Sequence, residues 1–185
     1  QIKTYSEVAL KLLKKITQLD KAYWGLDVID GAAGAVPVLI HLSKHIPMPE
    51  LKTFILAIGD YLIEKADKQP QGWSWHTMPD CTHNLTGLGH GTAGFATAFV
   101  ELYAYTSNEQ YLQIAKAIIS YEDSHFHAPQ QNWPDYRNFD TPAPTTEPIC
   151  SIAWCHGAPG IGASRLRMLE LSGDTNFMQG TTAAI

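Results

Sequence analysis

Cysteine is scarce: the 185 residues hold three, at Cys81, Cys150 and Cys155. An odd and small number makes no disulfide framework, which fits a reducing compartment and leaves metal binding or thiol chemistry open. A dense run of Lys or Arg is also missing, and the formal net charge is -5. That balance argues against nucleic acid or an anionic membrane surface as the main partner. Long hydrophobic runs are absent too. Stretches such as residues 54–58 fall far short of the roughly 20 residues a membrane span requires, and no secretory signal precedes them, so the chain reads as cytoplasmic. No initiator Met opens the sequence, and residues 174–185 begin what looks like a further helix without its stop signal. Both ends are therefore expected to be truncated, with residues 1–185 a single partial domain. Period-two alternation is too weak to predict a sheet.

What the sequence does have is 45% hydrophobic and 17% charged residues, enough to bury a sizeable core. Its apolar residues recur at helical spacing. Residues 5–19 predict an amphipathic helix, with Val8, Leu12, Leu13 and Ile16 on one side and Lys11, Lys14 and Lys15 on a solvated face. Residues 35–42 are almost wholly apolar, the pattern of a helix enclosed by others, and Pro37 is acceptable only in its first turn. The alternation then recurs. Residues 51–66 and 109–121 are amphipathic, whereas residues 95–105 are an apolar run and Ile161, Ala163, Leu166, Met168, Leu169 and Leu171 recur at spacings suiting a buried helix. Loops are expected over residues 72–88 and 129–148.

Each apolar helix is entered through a small-residue turn: Gly31-Ala32-Ala33-Gly34, Gly91-Thr92-Ala93-Gly94 and Gly157-Ala158-Pro159-Gly160, whose last glycines stand 60 and 66 positions apart. A repeat of that length marks stacked αα-hairpins, with apolar helices inside and amphipathic helices outside. The glycine turns then lie at one end, where their loops converge. The fold class predicted is all-α, repeated αα-hairpins forming part of an (α/α) toroid. Three repeats leave an open arc, whose apolar inner surface is expected to associate with the missing remainder or with another copy.

The third turn is preceded by Cys155-His156. A thiol at a helix entrance meets orphan backbone N–H groups and the positive end of the helix dipole, which favour its thiolate. Read by itself, Cys155 is either a metal ligand or a small core residue. His90 is either a general acid or base or a histidine packed on its turn, Asp27 is a capping residue or a member of the chemistry, and His156 either faces substrate or packs. His76, Cys81 and His83 form a rival set in one loop, at no recognised zinc spacing. Trp73, Trp75, Trp133 and Trp154 are expected to pack over loop edges rather than to form a peptide-binding wall.

Together, Asp27-Val28-Ile29-Asp30-Gly31-Ala32-Ala33-Gly34, Gly87-Leu88-Gly89-His90-Gly91-Thr92-Ala93-Gly94 and Trp154-Cys155-His156-Gly157-Ala158-Pro159-Gly160-Ile161-Gly162 resemble successive motifs of the lanthionine synthetase C-like family. Asn132-Trp133-Pro134-Asp135 and the Cys-His pair are closer to the cyclase domain of the large class II synthetases. The resemblance covers essentially the whole chain but only about the middle of a family domain. It implies a toroid with zinc on its rim, and addition of a precursor peptide's cysteine thiols to dehydroalanine or dehydrobutyrine in lantibiotic biosynthesis. Some members act on glutathione instead. By the same resemblance Cys155 is the first zinc ligand, His90 a general acid or base, and Asp27 an acid lining the pocket. The family's remaining Cys and His ligands are expected downstream of residue 185, and Ser151 stands where some members carry an arginine.

Two other functions compete. α/α toroids also host glycosidases, for which Asp27, Asp135 and Asp140 are the available carboxylates. A non-catalytic peptide-binding scaffold with a vestigial site is the other.

Overall fold

The computed structural model describes residues 2–137 and 147–179. Six helices dominate: α1 (Ile2–Ile16), α2 (Ala32–Ser43), α3 (Pro49–Lys65), α4 (Thr92–Thr106), α5 (Glu109–Ser124) and α6 (Ala158–Ser172). Among the described residues no helix is long and apolar enough to cross a membrane.

α4 is the centre of the packing, in contact with α2, α3, α5 and α6. Its apolar sequence has no solvent face, and residues from Thr92 to Leu102 are buried almost without interruption. Even Glu101 is buried, its carboxylate taking Nε and Nη2 of Arg167 on α6 at 2.9 and 2.8 Å. The connection to α5 is short because Ser107 closes α4 in the left-handed region (φ 58°) and Asn108 at once caps α5, its side chain accepting from the Gln110 amide. α3 opens on Pro49, with Glu50 in its first turn and Lys65 in its last, a distribution that suits the helix dipole.

Three local expectations change. α2 begins earlier than residue 35, so Pro37 lies beyond its first turn, inside the helix. Residues 67–74, which run from beyond the expected helix 51–66 into the expected loop 72–88, form an antiparallel hairpin of β1 (Asp67–Gln69) and β2 (Gly72–Ser74), pairing Asp67 with Ser74 and Gln69 with Gly72. β2 packs on α5: Gly72 holds φ 135°, and a Cβ there would meet the backbone of Ala117 and Tyr121. In α6 the buried positions include Ser164 and Arg165 as well as Ile161 and Met168, whereas Ala163 and Leu166 face outward. Of the expected tail helix the described residues hold the 3-10 turn Thr175–Met178, and residues 180–185 lie outside the described set.

α1 is the least engaged helix. It is strongly amphipathic, yet among its described large apolar side chains only Leu13 is buried, while Tyr5, Val8, Leu12 and Ile16 are exposed.

Candidate functional site

The three glycine turns are built alike. Gly34, Gly94 and Gly160 each sit against a carbonyl six residues earlier, that of Val28, Leu88 and Trp154 respectively, so closely that a Cβ would collide with it. Each turn therefore folds back over its own helix entrance. The turns are also joined to one another through main chain: the Val28 amide donates to the Gly89 carbonyl at 3.1 Å, and the Gly89 amide donates to the Cys155 carbonyl at 2.9 Å. This ladder brings residues from three turns to one place.

In register with it, Asp30, His90 and His156 are equivalent positions, each directly before the N-cap glycine. Asp27 is buried and divides its two oxygens. Oδ1 accepts the amides of Ile29 and Asp30 at 2.9 and 3.1 Å, while Oδ2 lies 2.5 Å from Nδ1 of His90. Gly31, not Asp27, is the N-cap of α2, so Asp27 combines a turn-forming role with a charged partner for imidazole. The negative charge of Asp27 beside it, with their side-chain hydrogen bond, pushes the Asp30 carboxyl above the ordinary 3.8.

The His90 and His156 rings stand 5.9 Å apart, centroid to centroid. His156 is buried, with Nδ1 3.9 Å from Asp135 Oδ1 and with no hydrogen-bond partner for Nε2 among the described residues. Burial pushes its pKa below the ordinary 6.5, outweighing the attraction of Asp135. Asp135 is itself well supported. Arg137 Nε and Nη2 donate to its two oxygens at 2.9 and 2.6 Å, and the Ser151 hydroxyl donates at 2.6 Å. Burial opposes its ionisation, but these donors and the nearby His156 prevail, leaving its pKa below 3.8. Asp27 with His90 and Asp135 with His156 thus form two acid–imidazole groups side by side. Asp140 lies outside the described residues.

Beneath the turns runs a buried ion pair that periodicity conceals. Arg165 is 2% exposed and donates through Nη2 to Glu122 Oε2 at 2.9 Å and Asp123 Oδ1 at 2.8 Å. The other oxygen of Glu122 accepts from Thr92 Oγ1 at 3.0 Å, and the Glu122 carbonyl takes the Trp133 indole at 2.9 Å. Trp75 is buried too, stacked 4.2 Å from Phe95 with its indole on the Leu62 carbonyl. Trp154 is 61% exposed. Two of the four loop tryptophans are therefore core.

Cys155 is a free, half-buried thiol, a donor suited to zinc. Among the described residues no group of three His, Cys, Asp or Glu side chains converges to hold a metal, so they offer at most part of the three-ligand set of a catalytic zinc. His83 stacks on Tyr136 at 4.6 Å instead of meeting His76 and Cys81 in a metal cluster.

The comparisons with known proteins agree with one another. The profile of the family described as "Lanthionine synthetase C-like protein" matches residues 1–185. The "Lacticin 481/lactococcin biosynthesis protein LcnDR2" of Lactococcus lactis subsp. lactis is 31% identical over 156 residues, which is 84% of this chain and 14% of that relative. The chain thus spans about a seventh of the curated relative it matches. With the profile covering residues 1–185, the chain belongs to the lanthionine synthetase C-like family.

Proposed function

We propose that this chain is part of a zinc-dependent cyclase domain that adds cysteine thiols of a precursor peptide to dehydroalanine or dehydrobutyrine, making lanthionine or methyllanthionine rings. The observation that carries this reading is the meeting of the Asp27–His90 pair with the Cys155 turn, held by the main-chain ladder through Gly89. The relative's printed role in lacticin 481 and lactococcin biosynthesis supports it. We read the three hairpins as consecutive repeats of an (α/α) toroid, which would gather its turns at one rim, and residues 1–185 as a single partial domain acting in the cytoplasm.

Zinc, when bound, supplies a substrate thiol in its deprotonated form near neutral pH. Cys155 is the ligand this chain offers, with the others expected from sequence beyond it. The remaining work falls to the chain's own residues. Forming the C–S bond at the alkene carbon leaves an enolate that must take up one proton. We assign its delivery to His90, a reading supported by the contact of Asp27 with Nδ1, which fixes the ring's orientation and leaves Nε2 as the exchanging nitrogen. Asp27 is the positioning residue for that ring, and the buried His156 lines the same place from the neighbouring turn.

The test is elemental analysis of zinc in this chain and in a longer product reading on from it, each with and without Cys155→Ala, followed by mass spectrometry of a dehydrated peptide. Stoichiometric zinc lost on substitution, with loss of free peptide thiols into thioether, is the expected result. Zinc binding indifferent to Cys155, or a loaded protein that closes no thioether, overturns the reading. Addition of glutathione alone would replace the substrate class.

A further inference from the structure

The third turn departs from the other two at one hydrogen bond. In the first, the Ala32 amide donates to the Gly25 carbonyl seven residues back at 3.0 Å; in the second, the Thr92 amide donates to the Leu85 carbonyl at 3.0 Å. The third turn's equivalents are Ala158 and Ser151, and they do not meet in this way. The Ala158 amide donates to Asn132 Oδ1 at 2.7 Å, and Asn132 Nδ2 donates to the Ser151 carbonyl at 3.1 Å. One carboxamide has been inserted where the other turns close on themselves.

The backbone records the difference. Gly31 and Gly91 are extended, with φ -136° and -122°, whereas Gly157 stands at φ 81° with the carbonyl of Ser151 and Oδ1 of Asn132 where a Cβ would be. The residue before that glycine changes its surroundings accordingly: Asp30 is exposed and His90 half-buried, but His156 is buried. Asn132 is itself fixed. It is paired with His127 across a bridge of two main-chain hydrogen bonds, and its Oδ1 also accepts the Trp133 amide at 2.8 Å. Its buried amide atoms are satisfied by the turn it opens, an arrangement costly to break.

We infer that Asn132 is a positioning residue: its side chain holds open the Cys155–His156 turn and thereby sets how the Cys155 thiol is presented. This rests on the reading of Cys155 as the site's thiol. The segment of residues 132–137 then acts twice on one turn, wedging it with Asn132 and facing His156 with Asp135.

The test follows amide hydrogen exchange in this chain and, by peptide mapping, the rate at which iodoacetamide alkylates Cys155 relative to Cys81. Asn132→Leu should cost the Ala158 amide roughly fivefold to tenfold of its protection, the worth of one hydrogen bond, while Ala32 and Thr92 serve as unchanged references. The Cys155 rate should shift several-fold in the same variant. Asn132→Asp keeps the acceptor for the Ala158 amide but gives up the donor to the Ser151 carbonyl, so the Ala158 amide should stay protected there. An unchanged Ala158 amide or an unchanged Cys155 rate in Asn132→Leu overturns the inference. Should that variant fail to fold, Asn132→Ala, which removes the carboxamide without adding bulk, takes its place: loss of Ala158 protection together with a shifted Cys155 rate supports the inference, and either readout unchanged overturns it. Neither readout needs zinc or turnover, so failure of the cyclase reading would be seen separately, as absence of thioether formation with wild-type Asn132.

Discussion

Asp27 and His90 are 63 positions apart in the chain and 2.5 Å apart in space, carboxylate oxygen to imidazole nitrogen. Only one oxygen of Asp27 is used in this way, because the other holds the amides of Ile29 and Asp30. The two jobs are separable by substitution.

Asp27→Asn should therefore keep the turn and lose the charge. A carboxamide oxygen can still accept the two amides, so the thermal midpoint should move little. The rate of thiol addition by the zinc-loaded protein should fall about a hundredfold, within the range of a positioned acid or base. His90→Gln should fall at least as far. Mass spectrometry of ring formation checks both, and a variant that cyclises at the parental rate would remove the pair from the reaction.

Acid should weaken the fold in two stages. The pKa of His156 is lowered, so between 6.5 and its folded value the unfolded chain binds a proton that the folded chain refuses. Its contribution is complete above 6.5 and lost as pH falls through that window. The Asp135 carboxyl is also lowered, so its contribution is present above 3.8 and lost as pH falls through its folded value. Urea unfolding from pH 8 to pH 4 should show the first stage, and His156→Gln should flatten it. A parental slope in that variant would assign the loss to another group.

Replacing Arg165 by Met should leave the Glu122 carboxylate buried without its main cation. A stranded buried charge costs about 3–5 kcal/mol, far more than an exposed pair such as Arg167 with Glu170 on the surface of α6. Equilibrium unfolding of Arg165→Met and of Glu170→Gln, which removes only the exposed pair and leaves Arg167 on Glu101, measures the difference, and equal losses would contradict it.

Glycine positions should divide by what lies beside them. At Gly34 a Cβ would strike the Val28 carbonyl, and at Gly173 it would meet nothing within 4 Å despite φ 71°. Gly34→Ala should cost about 1–3 kcal/mol or more, as overpacking does, and Gly173→Ala only about 1–2 kcal/mol, from its left-handed backbone. Denaturant midpoints of the two variants test the order.

Much of this was legible in the residues. Helical periodicity located the αα pattern, and the glycine turns marked the place where Asp27, His90 and Cys155 gather, because small residues are needed wherever main chain approaches main chain. What stayed hidden depends on contacts between distant segments. The strand Asp67–Gln69 is wholly polar, and its pairing is secured by Gly72 and Ser74 lying against α5. Arg165 stands between Ser164 and Leu166 in sequence and is buried because Glu122 and Asp123 on another helix receive it. Periodicity consequently aimed Leu166 inward, whereas it is 51% exposed. Asn132 looked like part of a motif, and nothing local reveals that its carboxamide reaches Ala158.

The ladder from Val28 through Gly89 to Cys155 is made of amides and carbonyls alone. Turns stitched together by main chain do not draw on the identity of the side chain at position 155, so assembly and reactivity can change independently. Another side chain at position 155 would inherit the same seat beside the Asp27–His90 pair, and the framework would serve a different reaction without being rebuilt.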